Sequence, residues 1–114
     1  MKFTPIDPPR QFQVSGRGVT LTLSDCGRVA LEPDEQVTFT TASGGEYDVA
    51  RTPWGFYATP SLNGRLPRFG LKPALARNAD DKYFVLLVER GREDDFDRYC
   101  DAEDISVVEW LDER

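Results

Sequence analysis

Proton transfer at neutral pH is most easily done by histidine, and this chain has none. That removes Ser-His and Cys-His nucleophilic catalysis, and with them histidine-ligated zinc or iron. The groups left for recognition are unevenly placed. From Val49 to Ala79 there is no acidic residue but there are five bases, Arg51, Arg65, Arg68, Lys72 and Arg77, interleaved with Trp54, Phe56, Tyr57 and Phe69. Guanidinium forks match carboxylate and phosphate, aromatic faces accept sugars or bases, and Gly55, Gly64 and Gly70 permit close backbone approach. The expected ligand site uses Arg65, Arg68 and Asn63, with Trp54 and Tyr57 as its aromatic wall.

The acids collect elsewhere. Gly91 to Arg114 holds ten acids and three arginines, within a chain of 20 acids and 14 bases and net charge −6. Three readings of the basic segment therefore stand side by side: ion pairing with the acidic C-terminal part, a site for a small anionic ligand, or a surface for a second copy or a partner. Nucleic acid is not expected, because its binders carry a basic domain or stripe that neutralises phosphates, and the pI here is near 4.6.

Carboxylates are abundant, so their proximity in sequence says little. Glu32, Asp34 and Glu35 read as turn residues, and Glu93, Asp94, Asp95 and Asp97 as a solvated helix face. An enzymatic reading would use Glu46 or Asp48 as acid–base group on a carbohydrate-like substrate, without metal. No calcium-loop pattern, P-loop, Gly-x-Gly-x-x-Gly or Gly-x-Ser-x-Gly motif occurs, and no cofactor is expected. Leu31 to Phe39 resembles the strand openings of cupins, whose metal chemistry needs clustered histidines. The two cysteines are expected to be thiols: Cys100 a buried helix residue, Cys26 exposed in a turn.

The elements that would hold such a site are short strands separated by closely spaced turn signals. At 114 residues the chain is read as one domain, 1–114, with a Pro-rich arm at 1–10. Gln11–Val14 is a short strand, and the alternation of Val19, Leu21 and Leu23 puts those three on one face. Asp25-Cys26-Gly27 is expected to be a hairpin turn and Asn63-Gly64 a type I′ turn opening a second hairpin. Pro73 assigns its strand to an edge or a bulge, and Phe84–Val88 reads as a central strand buried on both faces. A helix over 91–102 presents Phe96, Tyr99 and Cys100 inward, with Glu93, Asp94 and Asp95 at the positive end of its dipole. Residues 105–111 form a last strand, either after a parallel crossover or capping an open barrel. The predicted fold is mainly β (α+β): a small antiparallel barrel or sandwich of about eight strands with one acidic C-terminal helix and a final strand.

No apolar run approaches the length of a membrane span, and the N-terminus lacks the apolar region of a secretory signal. The expectation is a cytoplasmic protein without membrane contact. The stretch from residue 53 to 78, with Thr-Pro-Ser-Leu-Asn-Gly-Arg-Leu at 59–66 and Arg-Phe-Gly-Leu at 68–71, resembles a segment of small uncharacterised bacterial proteins of similar length, some from surface-polysaccharide gene neighbourhoods. The resemblance implies a bacterial protein and a ligand of sugar or nucleotide-sugar type; it brings no activity and no catalytic residue. The combined reading is a non-catalytic binding or accessory domain for a small anionic ligand. The alternatives are a homo-oligomeric or partner-binding assembly protein and a small metal-free carbohydrate-active enzyme.

Overall fold

A computed structural model describes residues 1–15 and 20–114. Among these described residues eight strands form three antiparallel sheets, sandwich-like and not closed into a barrel, with one main helix. The first sheet is a hairpin of β1 (Lys2–Ser15) and β2 (Thr20–Ala30). The second is a meander of β3 (Gln36–Thr40), β4 (Glu46–Thr52) and β5 (Gly55–Ala58). A single helical turn, α1 (Arg65–Arg68), leads to β6 (Leu71–Arg77) and β7 (Tyr83–Glu89). Helix α2 (Glu93–Glu103), β8 (Ser106–Trp110) and a closing 3-10 turn (Leu111–Glu113) complete the chain. The third sheet has the order β7-β6-β8.

The third sheet is the middle layer. Its register places Phe84, Leu86 and Val88 of β7 beside Lys72, Ala74 and Ala76 of β6 on one face, and Leu71, Pro73 and Leu75 on the other. Helix α2 covers the first face: Phe96 meets Trp110 edge to face, with ring centroids 5.7 Å apart, and Lys72 Nζ lies 4.5 Å from the centroid of that indole. The second face meets α1, where Leu66 is fully buried, and at Leu71 and Leu87 it faces Gly45, Phe39 and Tyr47 of the meander side. The buried apolar set is small: Leu66, Leu71, Ala74, Ala76, Val88 and Cys100, with Pro60 and Pro73. In α2 the three acids of the first turn and the inward Cys100 stand as the pattern requires. Asp104 ends the helix in the left-handed region, at φ 56°.

Several local expectations are corrected. The strand with Pro73 is central and the apolar run of β7 is the edge, the reverse of the sequence reading. Pairing between β6 and β8 begins only at Ala74, so the missing N–H of Pro73 falls where the central strand has one neighbour instead of two. Small Ala74 and Ala76 let the layers close over β6, leaving Tyr83, Phe84 and Val85 on β7 exposed. Of the two readings of the last strand the crossover is the one found: it runs antiparallel to β6, hence parallel to β7 with β6 between them, a β-α-β crossover that skips one strand. Residues 2–10 of the Pro-rich arm belong to β1, and Asp25-Cys26-Gly27 lies inside β2, not in a turn, although Cys26 is exposed. Val19 lies outside the described residues. Asn63-Gly64 opens no hairpin; the Ser61 hydroxyl accepts the Arg65 N–H at 2.8 Å and starts α1 instead. Gly70 then leaves that turn at φ +83°, a backbone that favours glycine.

The hairpin is amphipathic, its apolar face interrupted by the Arg10–Asp25 ion pair at 3.1 Å. Phe12 pairs with Leu23, and Gln11 and Gln13 with Ser24 and Thr22, so one face is apolar and the other polar. Nearer the termini Phe3 pairs with Val29. Phe3 and Phe12 have opposite parity, yet both reach the Leu23 face, because the register shifts by three residues between Pro5 and Arg10. Phe3 crosses the Cα of Gly27, where a Cβ would come within 2.6 Å of the ring.

Candidate functional site

The expected Arg and aromatic residues do not converge. Arg65 is a strut. Its Nη2 donates to Thr59 Oγ1 at 3.0 Å and to Asp48 Oδ2 at 3.3 Å, and its guanidinium lies 5.7 Å from the Phe69 ring centroid. Asp48 also accepts the hydroxyl of Thr38 at 2.6 Å and that of Thr59 at 3.4 Å, with its side chain 14% exposed. That carboxylate, an acid–base candidate by sequence, is thus occupied in tying α1 to the meander. Asn63 Nδ2 donates to the Arg114 carbonyl at 3.0 Å, anchoring the C-terminus, while Arg114 is paired to Glu109.

The aromatic wall is dispersed. Register puts Tyr57 on the same face of the meander as Asp48, but its side chain is exposed, and Trp54 stands 75% exposed at the tip of the β4–β5 turn. Arg51 is used up below that tip, donating to the carbonyls of Thr52 and Gly55 and stacking 5.8 Å from the Phe56 centroid. Of the five expected site residues Arg68 borders an open notch of about 320 Å³, with Pro67, Gly70 and Arg90. Arg90, which sequence reasoning missed, holds the notch open by donating to the Pro67 carbonyl at 3.1 Å. Among the described residues Arg68 has no carboxylate partner.

Among the described residues no salt bridge joins the acidic segment to the basic one, although the Gly91 N–H and, after it, the charge of Lys72 help to lower the Glu93 carboxyl. Asp95 pairs with Arg98 and Arg92 on its own helix, and those guanidiniums hold its carboxyl below the ordinary range. Arg114 does the same to Glu109, and the N-terminal ammonium to Glu35. Burial, then the nearby carboxylates of Asp97 and Asp101, pushes the Cys100 thiol up, the opposite of an activated nucleophile. Among the described residues no group of three carboxylate or thiol side chains is placed to hold a metal ion, and no helix is long and apolar enough to cross a membrane.

What the surface does hold is apolar. Phe3, Phe12, Leu21, Leu23 and Val29 on the hairpin are 40–57% exposed, and Tyr83, Phe84 and Val85 on β7 are 47–58% exposed. The chain has 8110 Å² of accessible surface and a radius of gyration of 15.6 Å. A compact monomer of this mass has about 6,300 Å² and a radius near ~13 Å. Cavities follow β7 along its length. One of about 540 Å³ lies between Leu86–Glu89 and Arg92, Phe96 and Tyr99 of the helix side. Its neighbours, about 250 and 260 Å³, continue it through Leu87 to Phe39 and Tyr47, and through Leu86 and Tyr99 to Phe84 and Ile105. Because the lining alternates between both faces of β7, this trough opens on the strand's unpaired edge.

Comparison with protein-family models, with curated proteins and with solved structures finds no match to this chain.

Proposed function

We propose that this chain is a non-catalytic assembly domain that works as a homo-oligomer. The observation that carries the reading is the uncovered apolar face of the β1–β2 hairpin. An isolated two-stranded hairpin is marginal in water, and an antiparallel sheet with one apolar face normally packs that face on a core. Among the described residues no other element packs broadly against it. The surplus accessible area, about 1,800 Å² over a compact monomer, exceeds the ~800 Å² that each partner contributes to a standard interface. Light scattering of the purified chain over a concentration series tests this: a mass above one chain is expected, and a monomer throughout overturns it.

A second reading is favoured by the Arg68–Arg90 notch: a small anion, such as the phosphate or carboxylate of a sugar-type ligand, held by two guanidiniums. The site then moves from Arg65 and Asn63 to Arg68 and Arg90. Titration with inorganic phosphate, nucleotides, sugar nucleotides and acidic sugars, read by thermal shift, tests it. Stabilisation that survives Arg68→Ala with Arg90→Ala removes the notch from the reading.

A further inference from the structure

We infer that the occupant of the β7 trough is the β1–β2 hairpin of a second copy, exchanged reciprocally. The inference rests on the assembly reading and adds which surfaces meet. Three features of the trough fit an amphipathic hairpin. Strand β7 is an edge, with one row of backbone N–H and C=O groups unpaired, the usual template for an added strand. The cavities beside that edge are floored by Leu86, Leu87, Phe96 and Tyr99, the type of surface the Phe12, Leu21 and Leu23 face needs. The stretch of β2 from Leu21 to Val29, apolar at Leu21, Leu23 and Val29 and broken by Asp25 and Gly27, is about 26 Å long and β7 about 20 Å, at the usual rise per residue, so the one can run alongside the other.

Charge favours the same pairing over hairpin against hairpin. The first 30 residues carry four bases and two acids. The trough is rimmed by Glu89 and Glu103, together with an Asp95 already paired to Arg92 and Arg98. Arg10 on the apolar face is already paired with Asp25 at 3.1 Å, so what remains is the hairpin's net surplus of bases: two hairpins laid face to face oppose like charge, and a hairpin in the trough meets the carboxylates of its rim. Each copy offers one hairpin and one trough, so a twofold axis satisfies both contacts at once.

Two variants separate the possibilities. Leu23→Lys spoils the hairpin face and Phe84→Lys the trough rim, and both side chains are already 40–47% exposed, so neither substitution empties a core. Far-UV circular dichroism confirms that each variant stays folded. In sedimentation velocity the unmodified chain is expected to be a dimer, and each variant alone to associate at least about 30-fold more weakly. Mixed one to one, the two variants are expected to form a heterodimer through the one intact hairpin and the one intact trough. A Phe84→Lys chain that dimerises normally while Leu23→Lys does not means hairpin-to-hairpin packing and overturns the inference, leaving the assembly reading intact. Variants that both dimerise normally, or that fail to combine when mixed, also overturn it. A monomeric unmodified chain overturns the assembly reading itself, and hairpin binding to lipid vesicles in that case identifies a membrane as the occupant.

Discussion

Replacing Asp48 by alanine should be among the more damaging changes outside the core. Its carboxylate accepts Thr38 Oγ1 at 2.6 Å, a short charge-assisted bond, and the longer contacts from Arg65 at 3.3 Å and Thr59 at 3.4 Å. A hydrogen bond to a charged group contributes about 1.5–3 kcal/mol. The two long contacts sit near the geometric limit and add little. Arg65 is 48% exposed, so its ion pair is worth under ~1 kcal/mol. The expected total is about 2–3 kcal/mol, which for a chain of this size lowers Tm by roughly 8–15 °C. Urea unfolding of Asp48→Ala, Arg65→Ala and the double variant measures it. A coupling between the two sites of roughly 0.5–1 kcal/mol is expected, with most of the loss belonging to Asp48 alone. A loss below about 0.5 kcal/mol for Asp48→Ala would refute the claim that this network pins α1 to the meander. It would also return Arg65 to the list of groups free for a ligand.

Leu66 is fully buried, so Leu66→Ala should cost about 2–5 kcal/mol, read as a fall in the urea midpoint with the slope unchanged. Changing Phe12, Leu21 and Leu23 together to serine should leave the monomer's far-UV spectrum in place but abolish any dependence of Tm on protein concentration, checked by thermal melts over a dilution series. Glu35, Asp95 and Glu109 have folded-state carboxyl pKa values lowered by the N-terminal ammonium, Arg98 with Arg92, and Arg114. A depressed pKa adds stability above the unfolded value and loses it as pH falls through the folded one. Unfolding free energy should therefore be level down to the unfolded values of 4.5 for Glu and 3.8 for Asp, then decline, in urea titrations run at successive pH. High salt should weaken that decline.

Much of the fold was legible because it rests on local periodicity. Helix α2 announces itself by Phe96, Tyr99 and Cys100 at one-turn spacing, and the meander by the alternation of Val37 with Phe39. The assignment of centre and edge in the third sheet was not legible. Apolar run length suggested that β7 was buried, but burial depends on which strand receives neighbours on both sides, and the small side chains of Ala74 and Ala76 decide that. The hairpin's amphipathic face was hidden for another reason: a three-residue register shift between Pro5 and Arg10 moves Phe3 and Phe12 into the same face from opposite parities. The Arg-rich segment was read correctly as unusual and incorrectly as convergent. Sequence proximity of Asn63, Arg65 and Arg68 could not reveal that a helical turn would send the first to the C-terminus and the second to Asp48. Arg90 lay outside the acid-free stretch, and only the pairing of Arg90 N–H with the Gly70 carbonyl, at 2.8 Å, brings it beside Arg68.

Sedimentation equilibrium of the full chain over a wide concentration range tests the central claim most directly. The exposed hairpin face predicts a mass approaching twice 12.9 kDa as concentration rises, with a reversible return to one chain on dilution. A mass of one chain at every concentration would contradict it.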